Sequence, residues 1–237
     1  VQVNARTGQP GESMMIRVRG SNSLAGGNEP LYVIDGMPVE KMNSDINPED
    51  ILSMEVLKDA SSTAIYGSSG ANGVIIVTTK RGSEGRNDVT VNAYVGVQQI
   101  AKRLEMLNAR EYAVMLNQQD VLSNQEPSIE NPSVYGKGTD WQDEILRLAF
   151  MQNYQVAASG GNKDGRYYLS LSMFDQDGVI KNSGIRRYQT RLNLDRKMRH
   201  NINIGANFQF SYTQREPNLV SLGGFDYQSS ALATPPT

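Results

Sequence analysis

Hydrophobic and polar residues alternate along this chain with two rhythms, and the change falls near Gly82. Before it, short apolar runs are divided by turn residues. Residues 14–19 and 31–34 read as strands, the second closing on Asp35-Gly36, a dipeptide suited to a tight turn because both residues tolerate positive φ. A return strand over 37–39 follows. Asn47-Pro48-Glu49-Asp50 is a helix start: Asn47 can cap, Pro48 suits the first helical position, and the acids favour the positive end of the dipole. The helix is short and gives way to a strand at 54–57. Asp59 reads as the N-cap of a second helix over 60–66, stopped by Gly67. Residues 74–79 are so apolar and β-branched that both faces of that strand are expected to be buried. The pattern predicts an α+β domain, a four-stranded sheet with two short helices.

Beyond Gly82 the alternation is longer and stricter. Val89, Val91, Ala93, Val95 and Val97 share one face against Thr90, Asn92, Tyr94, Gly96 and Gln98. Tyr167, Leu169, Leu171 and Met173 do the same, as do Tyr188, Thr190, Leu192 and Leu194 opposite Gln189, Arg191, Asn193 and Asp195. The cleanest case runs from Asn201 to Tyr212, with Ile202, Ile204, Ala206, Phe208, Phe210 and Tyr212 on the apolar side. Each segment approaches the roughly 9 to 11 residues that a tilted strand needs to cross a bilayer. A soluble antiparallel sheet with one face on a core gives the same alternation, so the pattern alone leaves the two open.

Between the first two of these strands lies helical spacing. Leu107, Tyr112, Met115 and Leu116 fall on one helix face within 104–123, with Asn108 as cap and Glu111 completing a capping box. Residues 139–146 read as a second short helix. An amphipathic stripe of this kind is expected to pack on its own domain, and no site is assigned to it.

Composition narrows the chemistry. The 237 residues include no Cys, which excludes disulfides, thiolate nucleophiles and Cys-ligated metals. Net charge is -2 with no basic stripe, so nucleic acid is not an expected partner. The longest apolar run is Tyr112 to Leu116, far short of the roughly 20 residues of a spanning helix, which leaves membrane crossing by strands open. The glycines of Gly67-Ser68-Ser69-Gly70-Ala71-Asn72-Gly73 follow a helix and precede a strand, the reverse of the order that phosphate loops need. Asp175-Gln176-Asp177-Gly178 starts like a calcium loop but lacks the later ligands, and reads as a polar hairpin loop. His200 has no partner at metal spacing, and Asp35 has no nucleophile or second carboxylate in sequence beside it. No catalytic residue, metal site or cofactor is expected.

One long string carries more. Residues 55–82, from Glu55-Val56-Leu57-Lys58-Asp59 through Tyr66-Gly67-Ser68-Ser69-Gly70-Ala71-Asn72-Gly73-Val74 to Arg81-Gly82, closely resemble the plug motif of the SusC/RagA family of TonB-dependent outer-membrane transporters, typical of Bacteroidota. Ile16-Arg17-Val18-Arg19-Gly20 and residues 28–39 resemble the same plug. Ser69 stands where members usually carry Arg. The resemblance decides for the barrel, since in that family the barrel follows the plug directly. It implies an α+β plug over 1–82, then antiparallel strands of an incomplete transmembrane β-barrel over 83–237 with a helical insertion at about 104–149. Such barrels have about 22 strands, so those here form an arc.

The resemblance also assigns a structural and gating role to Asp35, Gly36, Lys58, Asp59, Tyr66, Gly67, Gly70, Asn72 and Gly73. It implies a non-enzymatic importer of oligosaccharides or peptides in the cell outer membrane, surrounded by lipid. A SusD-like surface lipoprotein and TonB would be its partners. No TonB box is visible, and the chain reads as an internal fragment with an N-terminally truncated plug. The rivals are a soluble β-rich carbohydrate-binding or adhesion module, and, less favoured, an α+β hydrolase.

Overall fold

The computed structural model describes residues 2–4, 10–11, 15–17, 29–39, 46–59, 63–198, 202–216 and 227–236. The predicted strand positions 14, 18 and 19, helix positions 60–62, and His200 lie outside them. The chain divides into two compact units, one of residues 1–95, 152–176 and 185–214, the other of residues 96–151, 177–184 and 215–237.

In the first unit β1 (Gln2–Asn4) pairs antiparallel with β2 (Met15–Arg17). The main sheet of the plug comprises β3 (Leu31–Ile34), β4 (Met37–Val39), β5 (Ile51–Leu57) and β6 (Val74–Thr79) in the order β4-β3-β6-β5. The β3–β4 hairpin turns on Asp35 and Gly36 with φ of 48° and 88°, the two positive values that the Asp-Gly pair makes accessible. β6 lies between β3, to which it runs parallel, and β5, to which it runs antiparallel. Tyr32, Ile75 and Val77 form the core of this sheet, joined by Ile34, Val39 and Ile51. Burying each of Ile75 and Val77 contributes about 1.5–3 kcal/mol. β6 is less uniformly enclosed than expected: Val74, Ile75, Val77 and Thr79 are buried, whereas Ile76 and Thr78 are only half-buried.

Both predicted helices are present as 3-10 turns, which need fewer residues than an α-helix to close. Pro48–Asp50 is capped by the Asn47 side chain, which accepts from the Glu49 N–H at 3.0 Å. The Thr63 N–H donates to the Asp59 carbonyl at 3.1 Å. Gly67 ends the second helix as expected: at φ 57° and ψ −143° it is not helical, a conformation open almost only to glycine, and a second short turn follows it to Gly70.

Five long strands follow: β7 (Asn87–Gln98), β8 (Ala149–Asn162), β9 (Gly165–Asp177), β10 (Gly184–Met198) and β11 (Ile202–Glu216). They form an antiparallel meander in which each strand pairs with its sequence neighbours. On the three inner strands its faces are reversed relative to a soluble sheet, while β7 and β11 are largely exposed on both faces. Val89 is 74 % exposed and Phe210 65 %, and the outward set includes Val91, Val95, Val156, Leu171 and Phe208, while Ser170 is 2 % exposed and Arg191 4 %. On β10 the outward apolar stretch is bracketed by Arg186 and Arg196. Ten residues at about 3.3 Å, tilted about 40°, rise about 25 Å, the height of the apolar band of an outer-membrane barrel. Among the described residues no helix is long and apolar enough to cross a membrane, which says nothing of crossing by strands.

The second unit holds the expected helices. α1 (Ala109–Leu122) has its capping box: Asn108 accepts from the Glu111 N–H at 2.9 Å, and Glu111 accepts from the Asn108 N–H at 3.0 Å. Hydrogen bonding by Ser128 holds the Asp120 carboxyl below the usual carboxylate range. α2 (Trp141–Ile145) is capped by Asp140. Before Thr234 lies α3 (Tyr227–Ala233), closed by a bond from the Thr234 N–H to the Ser230 carbonyl at 2.9 Å. The following Pro235 is held where its carbonyl accepts from the Trp141 indole at 2.9 Å. Asp175 and Asp177 lie at the end of β9 and not in a loop. Each is neutralised by an arginine, Arg186 at 3.1 Å and Arg147 at 3.2 Å, so the strand continues to Asp177.

Candidate functional site

The polar faces of the long strands and the edge of the plug sheet meet inside the first unit, where side chains without apolar character are buried together. Their positions follow from local rules. Asp50 ends the 3-10 turn that Asn47 and Pro48 start, and Thr79 ends β6. Gln155, Tyr168, Ser170, Arg191 and Asn193 occupy inward positions that the two-residue strand period sets.

Asp50 is the hub. One carboxylate oxygen accepts from the Gln155 amide at 2.7 Å and the Tyr168 hydroxyl at 2.8 Å, and the other from the Ser170 hydroxyl at 2.9 Å. Three donors from β8 and β9 thus converge on one plug residue. Asp35 is bonded differently. Its carboxylate accepts from the Thr79 N–H at 2.9 Å and the Thr79 hydroxyl at 2.6 Å, partners within the plug. Arg191 of β10 lies between the two acids, 3.7 Å from Asp35 and 3.8 Å from Asp50, with all three side chains almost fully buried. The guanidinium also donates to the Thr79 hydroxyl at 3.4 Å and to Gln209 of β11. Asn193 donates to the Thr79 hydroxyl at 3.2 Å and the Lys80 carbonyl at 2.8 Å. Glu49 accepts from Asn92 of β7 at 3.1 Å, and Arg81 pairs with Asp195 at 3.0 Å. Every one of the five long strands therefore contributes to the seam.

A seam built this way combines strong contacts with wholly polar chemistry. Bonds to charged groups contribute about 1.5–3 kcal/mol each, yet every group is one that water can also satisfy. A cavity of about 700 Å³ lies alongside, lined by Lys80, Arg81, Asn92, Gln155 and Tyr168 among others. Beneath the seam, burial and the nearby Glu29 push the Tyr32 hydroxyl above its ordinary range, in keeping with a neutral core residue. Among the described residues no three acid, His or Cys side chains gather as a metal site.

Of the residues that the plug motif singles out, Asp35 reaches the seam. Gly36 shapes its turn. Lys58 and Asp59 are exposed at the end of β5, and Tyr66 is half-buried in the second 3-10 turn. Gly70 is packed so that a Cβ would lie 3.0 Å from the Thr63 carbonyl and 3.2 Å from the Tyr66 side chain. Gly73, at φ 97°, accepts from the Leu31 N–H at 3.0 Å, and Asn72 reaches the Glu29 carbonyl at 3.5 Å. Together with the bend at Gly67 they form the turn that feeds β6 into the sheet. Ser69 is exposed. Asp50, Thr79, Gln155, Tyr168, Ser170, Arg191 and Asn193 were not legible as a site. The available signal was an arginine flanked by Gln189 and Asn193 on a strand's polar face.

A small α+β sheet held against the polar face of a sheet whose outer face is apolar is the architecture of a plugged outer-membrane barrel. Residues 1–74 match the family described as TonB-dependent Receptor Plug Domain. TonB-dependent receptor P26 of Formosa agariphila is 40% identical across 100% of this chain, which corresponds to 24% of that receptor. TonB-dependent receptor SusC of Bacteroides thetaiotaomicron is 36% identical, again over 100% of this chain and 24% of its own length. Among solved structures, the RagAB peptide importer in its 'closed-closed' state superposes with a TM-score of 0.83 at 26% identity, covering 99% of this chain and 30% of that one. The chain is thus similar along its whole length to TonB-dependent receptors, SusC among them, and its first 74 residues match their plug domain. It spans about a quarter of the length of the curated relatives it matches.

Proposed function

We propose that the chain forms the plug, over about residues 1–82, and the first wall strands, over about 83–237 with a helical insertion at 104–149, of a TonB-dependent outer-membrane importer. The observation that carries this reading is the reversed sheet: long strands with Val, Leu and Phe outward and a buried polar seam inward on a plug. A soluble binding module would place those residues the other way, because exposed apolar bands of this extent are costly in water and neutral in lipid. In this reading the plug closes the lumen, the polar seam lets it be released and redocked, and energy from TonB drives that release. The motif residues Tyr66, Gly67, Gly70, Asn72 and Gly73 set the shape of the turn before β6, and Asp35 with Gly36 sets the hairpin that brings a carboxylate to the docking seam. An oligosaccharide or peptide is the cargo, and a SusD-like lipoprotein on the cell surface delivers it. Peptide cargo draws support from the likeness to the peptide importer, and glycan cargo from no residue described above.

The test is uptake by cells expressing the full-length receptor. Labelled oligosaccharide and peptide pools are offered with and without TonB. Accumulation that requires both the receptor and TonB is the expected result. Uptake indifferent to TonB, or a receptor found outside the outer-membrane fraction, overturns the reading.

A further inference from the structure

Two plug carboxylates compete for one guanidinium. Asp35 and Asp50 lie at almost equal distances from Arg191, so the buried cluster of these three carries one more negative than positive charge. Neither contact is a close bidentate pair, and the N–H groups of Arg191 go to Thr79 and Gln209. If one aspartate leaves, the remaining two charges form a neutral pair. In a buried setting the remaining acid is then held more favourably than in the triad, because the repulsion between the acids has gone.

The two acids differ in what they lose on leaving. The other bonds of Asp35 are to Thr79 and travel with the plug. Those of Asp50 are to Gln155, Tyr168 and Ser170, and all three stay with the wall. Detaching the Asp35 side costs the contacts of Arg191 and Asn193 and, where β6 parts from the start of β5, the bond from the Lys80 N–H to the Asp50 carbonyl at 2.8 Å. Detaching the Asp50 side costs three charge-assisted hydrogen bonds besides.

Resting on the importer reading above, we infer that Arg191 imposes an order on plug release: the hairpin carrying Asp35 and the end of β6 leave the wall first, while Asp50 stays anchored by a guanidinium then wholly its own. Arg191 is thus a positioning residue for the gate. The order allows a partial opening beside β10 that can reclose without the plug losing its register.

The experiment uses the full-length receptor in detergent with nitroxide pairs, one between Met37 and Leu194 and one between Leu52 and Leu194. All three residues are exposed and lie outside the seam. Distances are followed as urea is raised over the range in which the barrel keeps its heat-modifiable gel mobility. The Met37 distance should lengthen at lower urea than the Leu52 distance. In Arg191→Gln the two should lengthen together, and Arg191→Lys should restore their order. Asp35→Asn should advance the Met37 transition and leave that of Leu52 in place or later. A single shared transition in the unmodified receptor, Leu52 moving first, or an unchanged order in Arg191→Gln each overturns the inference. If Arg191→Gln loses the folded barrel, the Asp35→Asn pair decides: equal advances of both transitions refute it. These distances report the plug without transport, so ordered release in a receptor that imports nothing supports the inference and refutes only the importer reading.

Discussion

Asp50 has the local role of an acid in the first turn of a 3-10 segment, where the dipole favours it, and a tertiary role that this placement does not announce. Its carboxylate collects donors separated from it by 105 to 120 residues in sequence. Replacing it by Ala leaves Gln155, Tyr168 and Ser170 without their acceptor, while Arg191 keeps Asp35 as its counter-charge. A buried polar group left unsatisfied costs about 1–3 kcal/mol. Asp50→Ala is therefore expected to loosen the plug by that order while the barrel stays folded, read as a lowered urea midpoint for plug release at constant barrel mobility on gels. Gly82 is constrained differently. A Cβ there would lie 2.3 Å from the carbonyl oxygens of both Gly160 and Tyr167, which are backbone and cannot step aside. Gly82→Ala should cost about 1–3 kcal/mol, as other overpacked sites do, and a melting temperature equal to wild type would count against the close approach.

Among elements, β6 organises the plug, since it pairs with both β3 and β5 and supplies Val74, Ile75 and Val77 to the interior. Its run of β-branched residues marks it in sequence as a buried strand. Which positions are enclosed depends on what packs on each face, and Ile76 proves to be half-buried. The sensitive position is Ile75, 1 % exposed. Ile75→Asp should prevent the plug from folding, because an unpaired carboxylate there costs several kcal/mol, whereas the same change at Ile76 should be the milder of the two. Limited proteolysis of the two variants orders them, and equal resistance would contradict this packing. For the long strands the corresponding test is on the outward face. Leu171→Arg should reduce barrel stability by about 2–4 kcal/mol in lipid if it lies near the bilayer midplane, and a neutral effect would place that face away from lipid.

For the whole molecule, connection lengths carry the orientation. The β8–β9 turn is only Lys163-Asp164, whereas β7 and β8 are joined by a long segment containing α1 and α2. Barrels of this kind have short periplasmic turns and long outer loops. Lys163 should thus face the periplasm, and Asn131 and Lys181 the outside. Single cysteines at these positions start from a region that has none. In intact cells an impermeant maleimide should label positions 131 and 181 and spare 163. Labelling of 163 alone would invert the barrel, and labelling of all three would remove these strands from the membrane. Arg199, expected to share the periplasmic side, lies outside the described residues.

The sequence by itself determined whatever depends on neighbours along the chain: the Asp35-Gly36 hairpin, the Asn47 and Asn108 caps, the β-branched run of β6, and the two faces of β7, β9, β10 and β11, though not those of β8. The physical reason is that caps, turns and the two-residue period act over a few positions. Alternation could not say which face was buried, since a soluble core and a lipid layer write the same pattern. Only the tertiary structure decided that the polar face is the inner one. It alone brought Asp35 and Asp50 to one arginine more than 140 positions away, because a buried charge is placed by its partner and not by its neighbours in sequence.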